Sequence, residues 1–149
     1  MMRVMLIGVM AFLVGGCSVF SGVSAPLVKI DAVRLVEQTE QGARVEVDLL
    51  LENPNDVAIP LKYTSYSVRV APGGTYRYGD ESNRTLPAKG TQMLTLPAAF
   101  ATGGASLSGA RFKVDGDMTY EPPGVLRKAL TDSGIPLPSV GFSRAGQLQ

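Results

Sequence analysis

Arg44-Val45-Glu46-Val47-Asp48-Leu49-Leu50-Leu51-Glu52, followed at once by Asn53-Pro54-Asn55, is the stretch on which the fold turns. In an extended chain Val45, Val47, Leu49 and Leu51 share one side, while Glu46, Asp48, Leu50 and Glu52 share the other. Apolar residues recurring every second position, with charges opposite, mark a half-buried β-strand. A helix would scatter the same four residues around its circumference. The strand ends where Pro54, which lacks an N–H, biases Asn53 away from the helical region. Asn55 and Asp56 can bond their own backbone in a turn.

The pattern repeats on both sides of this stretch. Val28 to Asp31 alternates and Val33-Arg34-Leu35 extends it, before a hairpin loop over Gln38 to Gly42. Ile59-Pro60-Leu61 returns to the core, and Tyr66, Val68 and Val70 stand at strand spacing. Ala71-Pro72-Gly73-Gly74 is a turn and Tyr76-Arg77-Tyr78 a short strand. Gly79 to Arg84 reads as a polar loop, and Leu86 to Gly90 as a turn. Thr91 to Leu96 is a strand closed by Pro97; Ala98 to Gly109 gives at most a helical turn. Phe112, Val114, Gly116, Met118 and Tyr120 share one face of a further strand. Val125 to Thr131 allows one or two helical turns, and Val140 to Ser143 makes a last strand. About seven short strands separated by turn signals predict an all-β fold, an antiparallel β-sandwich, with a small barrel as the alternative. With 17 Gly and 10 Pro the chain favours turns over long helices.

The amino-terminal end has a different character. Met1-Met2-Arg3, an apolar run from Val4 to Val14 and Gly15-Gly16 precede Cys17, the single cysteine. A charged start, a short apolar stretch and small residues before a cut site form a secretory signal peptide. Leu13-Val14-Gly15-Gly16-Cys17 resembles the lipobox of bacterial lipoproteins. That resemblance implies cleavage before Cys17, a diacylglycerol thioether on its sulfur and acylation of the new amino terminus. A spanning helix would need about 20 apolar residues. The expected organisation is a signal peptide over 1–16, the lipidated Cys17 and a tether over 17–27, and one sandwich domain over 28–149. In a Gram-negative host, the absence of Asp at position 18 implies the periplasmic face of the outer membrane.

Removing residues 1–16 leaves 133 of the 149 residues, enough for a single core. Arg3 leaves with the signal, so Lys+Arg falls from 14 to 13 against 13 Asp+Glu. Such a balance gives no electrostatic reason to bind nucleic acid. The lipid is the expected contact with the membrane, since a chain anchored by more than one acyl group needs no spanning helix.

The chain has no histidine, so neither a Ser–His nor a Cys–His pair can form, and no Ser-x-x-Lys occurs. Asp115 and Asp117 would lie on one face of their strand, and Asp80-Glu81-Ser82-Asn83 is rich in oxygen. Calcium takes 6–8 oxygen ligands, so both sets read as solvated surface. Glu46, Asp48 and Glu52 read as the outer face of their strand. No enzyme, metal or cofactor is expected. Tyr63, Tyr66, Tyr76 and Tyr78 gather in one region, with Tyr66 in phase with Val68 and Tyr63 out of phase. They form a candidate surface for envelope protein partners, as tyrosine is enriched at interfaces.

The run Val45 to Asn55, then Ile59-Pro60-Leu61 and Tyr63 to Val70, is similar to the water-stress and hypersensitive-response (WHy) domain. That domain occurs in group-2 late embryogenesis abundant proteins and in bacterial and archaeal relatives. Leu86 to Gly90, Phe112 to Gly116 and the segment from Ile135 to Gly146 match further parts in order. The resemblance implies a seven-stranded sandwich of fibronectin type III or immunoglobulin-like shape. It implies a role in stress or desiccation tolerance, with no catalytic site. Asn53, Pro54, Asn55 and Gly116 are then mainly structural motif residues. A structural adaptor of an envelope secretion or transport assembly is the alternative function.

Overall fold

A computed structural model describes residues 23–149. The signal peptide, Cys17 and the start of the tether lie outside the described residues. Seven strands and one helix follow in order. They are β1 (Leu27–Gln38), β2 (Gly42–Glu52), β3 (Ile59–Ala71), β4 (Gly74–Leu86), β5 (Thr91–Ala101), β6 (Arg111–Tyr120), α1 (Val125–Ser133) and β7 (Ser139–Gln147). The strands form two antiparallel sheets, ordered β1-β2-β5 and β4-β3-β6-β7. Two open sheets, rather than one closed barrel, cover the core.

The core follows from the alternation. Val45, Val47, Leu49 and Leu51 of β2 are fully buried, facing Val68, Val70 and Val114 of the other sheet. Burying each such side chain is worth about 1.5–3 kcal/mol. The β1 phase is reset by a bulge between Ile30 and Ala32, so Ile30 and Val33 both point inward although three residues apart. Gly116 sits where Phe142 crosses β6. A Cβ there would enter the Phe142 ring and stand 2.7 Å from the Ser65 carbonyl oxygen.

Two expectations need correction. Pro97 does not close β5: the strand runs on to Ala101, paired along its whole length to β2. β5 is an edge strand, and proline is tolerated where no ladder partner needs its N–H. Gly79 to Arg84 is not a loop but the middle of β4, the other edge strand facing that side. Most of β4 is exposed, so it carries no inward–outward alternation to read. At the junction of the expected tether and domain, Pro26 is buried and β1 starts at Leu27.

The strand ends define two poles. One holds the start of β1, the loop over 53–58, the turn over 87–90 and α1. The other holds the loops over 39–41 and 102–110 and the turn at Pro72-Gly73.

Candidate functional site

Asn53 and Asn55 organise the first pole. Asn53 is buried just past the end of β2. Its Nδ2 donates to the carbonyls of Val57 (2.8 Å), Leu86 (3.2 Å) and Pro87 (2.9 Å). Its Oδ1 accepts from the backbone N–H of Asn55 at 3.0 Å and from Asn55 Nδ2 at 2.9 Å. Asn55 then reaches the incoming chain: its Oδ1 accepts from Ser24 N and its Nδ2 donates to Ser24 O, both at 2.8 Å. The Lys89 N–H donates to Asn55 O and Lys89 Nζ to Pro54 O. The Asn-Pro-Asn motif thus ties together four segments: the entering chain, the end of β2, the loop before β3 and the turn before β5. Every buried polar group of the pair is satisfied, as burial requires.

The tyrosines separate as their phase predicts. Tyr66, Tyr76 and Tyr78 form a triangle with ring centroids 6.1–6.4 Å apart, and Tyr76 also meets Phe100 edge-on. The β3–β4 register builds it by pairing Tyr66 with Tyr78 and Val68 with Tyr76. Tyr66 is buried, and its hydroxyl donates to the Pro97 carbonyl across the two sheets at 2.5 Å. Burial, then the neighbouring Tyr76 and Tyr78, hold its phenol protonated far above the usual range. Tyr78 is half exposed; its hydroxyl donates to Asp80 Oδ2 at 3.1 Å, which raises its pKa. Tyr63 lies apart, on the outer face of the sheet over Gly79.

The triangle stands at one lateral side of the sandwich, where β4 and β5 leave their edges unpaired. Between them lies a recess of about 240 Å³, floored by Tyr66, Leu94 and Leu96 and walled by Thr64, Ser82 and Arg84. The opposite side is bridged as well, beside a recess of about 420 Å³ lined by Asp31, Val33, Phe112, Arg144 and Gln149. Arg144 of β7 donates to the carbonyls of Ile30 (3.1 Å) and Asp31 (2.6 Å), the oxygens turned out by the β1 bulge. The Leu35 N–H donates to Gln149 O beside it. Sequence reading missed this bridge, because the partners are 113 and 114 residues apart.

Three of the carboxylates, Asp48, Asp115 and Glu121, have cationic partners. Asp48 lies on the outer face of the three-stranded sheet, as its strand phase gives, and is nonetheless buried. Arg34 covers it with Nε at 3.1 Å and a second nitrogen at 2.7 Å, and Thr95 donates at 2.7 Å. Glu121, buried beyond β6, accepts from Lys62 at 2.8 Å and pairs with Arg127 of α1. Hydrogen bonding to Lys62 first, with both cations adding, lowers its pKa despite burial. Asp115 and Asp117 share the outer face of the four-stranded sheet, where Asp115 pairs with Lys113 at 3.1 Å. Among the described residues no group of three or more His, Cys, Asp or Glu is placed to hold a metal ion.

No protein-family model matches the chain, and no curated protein does. Solved structures do. A solution structure of a protein assigned to the late embryogenesis abundant (LEA) class matches with a TM-score of 0.62 at 17% identity, covering 83% of this chain and 70% of that one. The crystal structure of a structural-genomics target matches with a TM-score of 0.52 at 14% identity, covering 85% of this chain and 87% of that one. The domain therefore has an LEA-like fold.

Proposed function

We propose that the chain is a lipid-anchored envelope protein whose non-catalytic, LEA-like domain protects envelope proteins under water stress by binding them weakly along the β4–β5 side. The observation that carries this reading is the aromatic lining of the β4–β5 side: Tyr66, Tyr76 and Tyr78 cluster beside the unpaired edge of β4, with Tyr78 half exposed. An unpaired strand edge offers a row of backbone donors and acceptors to another extended chain. Tyr76 and Tyr78 add amphipathic contact area beside it. Arg77, Asp80, Glu81 and Arg84 on β4 oppose tight, uncontrolled pairing, since edge charges blunt strand addition. Weak reversible contacts suit protection better than permanent assembly.

The strand order β1-β2-β5 against β4-β3-β6-β7 supports an immunoglobulin or fibronectin type III arrangement, a scaffold whose functions reside in its edges and loops. The lipobox-like stretch ending at Cys17 supports the anchor and the outer-membrane address. The absence of histidine supports a non-catalytic role.

The test is a drying-sensitive enzyme dehydrated with the purified domain. Wild type preserves activity beyond a non-specific protein control, and Tyr76→Ser with Tyr78→Ser reduces the effect. No protection beyond the control, together with unchanged desiccation survival of a deletion strain, refutes the reading. Crosslinking in native membranes separates the adaptor alternative, which yields one defined complex rather than many weak partners.

A further inference from the structure

We infer that the pole carrying Asn53, Asn55 and α1 is the face the domain lays against the lipid surface. This rests on the lipid-anchored reading proposed above. Three observations converge on it. First, Asn55 holds Ser24 by both its N–H and its carbonyl, so the chain enters the domain at a fixed point of this pole. Six residues lie between Cys17 and that point, a reach of at most roughly 25 Å. The opposite pole lies a full strand length further away.

Second, the exposed apolar side chains are concentrated here. Among the described residues nine large apolar side chains are exposed, and five of them belong to this pole: Val23, Leu27, Val57, Val125 and Ile135. The distal loops over 39–41 and 102–110 contribute none. Third, α1 has no buried residue. At 100° per residue Val125, Ala129, Leu126 and Leu130 follow one another around one arc; Leu126 and Leu130 are partly covered, while Val125 and Ala129 are exposed beside Lys128 and Asp132. Val125, 81% exposed, is the most exposed of the nine. An exposed valine at the start of the helix, flanked by charged side chains, suits shallow contact at the boundary between lipid headgroups and acyl chains. Lys62, Lys89, Arg127 and Lys128 are balanced by Glu52, Asp56, Glu121 and Asp132, so the contact is apolar in character and close to neutral. Alone it is weak; the lipid at Cys17 supplies the local concentration.

The experiment uses the full lipoprotein purified from membranes and returned to vesicles of phosphatidylethanolamine and phosphatidylglycerol. With the Cys17 sulfur held in a thioether, Val125→Cys, Val57→Cys and Ser108→Cys each introduce one reactive thiol for an environment-sensitive fluorophore. Nitroxide lipids labelled near the headgroup are expected to quench positions 125 and 57 several-fold more than position 108. Asn55→Ala is expected to reduce that contrast by freeing the entry point. Equal quenching at the three positions, or stronger quenching at a Tyr78→Cys label on the lateral edge, overturns the inference. Failure of the anchor reads differently: wild type and Cys17→Ser would then partition identically between membrane and soluble fractions, before any fluorophore is introduced.

Discussion

Replacing Asn53 by Ala is expected to destabilise the domain by about 3–4 kcal/mol, far beyond what a residue in a connecting loop normally contributes. The side chain takes part in five hydrogen bonds and is only 2% exposed. Its two amide hydrogens are shared among three carbonyls, so the donor side amounts to two full bonds at about 1 kcal/mol net each. Alanine also leaves the Asn55 N–H and one Asn55 Nδ2 hydrogen without an acceptor in a closed site. Each orphaned buried donor costs about 1–3 kcal/mol. Partial relaxation and non-additivity bring the sum down to the stated range. For a domain of this size that corresponds to a fall in Tm of roughly 10–15 °C.

The assay is thermal and urea unfolding of a soluble form beginning at Ser18. Asn53→Asp sharpens it. Aspartate keeps the acceptor for Asn55 but turns an oxygen toward the carbonyls of Val57, Leu86 and Pro87 in place of the donor. At neutral pH it should be at least as damaging as alanine. Those carbonyls disfavour the charged carboxylate, so its folded pKa lies above the unfolded value of about 3.9. The folded variant then binds more protons, and its stability falls as pH rises from about 4 toward that folded pKa. An Asn53→Ala loss below about 1 kcal/mol, or an Asn53→Asp variant milder than Ala at pH 7, would refute the assignment of this side chain as the hub.

Gly116→Ala should cost about 2–3 kcal/mol through overpacking against Phe142 and the Ser65 carbonyl, and Phe142→Leu in the same chain should recover part of it, read from urea midpoints. Glu121 has a lowered folded pKa, so its contribution is present above the unfolded value and lost as pH falls through the folded one. Glu121→Gln should therefore flatten the acid limb of the stability curve, with salt reducing the difference because Lys62 and Arg127 are half exposed or more. Arg144→Met should leave the core intact, cost about 1–2 kcal/mol and speed amide exchange in β1, most of all around the bulge at Asp31. Asp48→Asn should weaken the Arg34 contact, and a double-mutant cycle with Thr95→Val should show coupling of about 0.5–1 kcal/mol.

What the sequence discloses of this fold depends on whether a strand has one dry face and one wet face. β2 and β6 do, and Val45 to Leu51 and Phe112 to Tyr120 carry the alternation without interruption. β4 does not: from Gly79 to Thr85 nothing is buried, so selection for polarity erases the period and leaves a segment that looks like a loop. Pro97 misleads for a related reason, since an edge position removes the penalty that would make proline a terminator. In β1 the bulge at Asp31 shifts the phase, and no local residue announces it. The functional surfaces divide similarly. The turn chemistry of Asn53-Pro54-Asn55 is local and therefore legible. Its partners Ser24 and Leu86, 31 and 33 residues away, follow only from the register of the assembled sheets. The tyrosine triangle likewise needs Tyr66 to face Tyr78 across β3 and β4, which strand phase permits but does not specify.

The placement of these surfaces limits how the protein can act under the lipid-anchored reading. Strands of up to 13 residues span roughly 40 Å, and the tether adds at most roughly 25 Å. Everything the domain touches must then lie within about 65 Å of the bilayer. On that reading the Asn53 pole faces the lipid surface with the entering chain, and on the β1–β7 side Arg144 bridges the two sheets. The distal pole bears no exposed large apolar side chain from its loops over 39–41 and 102–110. The β4–β5 side, where the tyrosines cluster, runs along the strands from near the lipid outward. A client held there would lie along the membrane normal, beside the domain. Segments that emerge from the membrane, such as the exposed parts of envelope proteins losing water, meet that edge in the right orientation. A soluble client approaching from the far side would not. The tether clamp at Asn55 and the tyrosine edge therefore depend on each other: one sets the angle at which the other can be used.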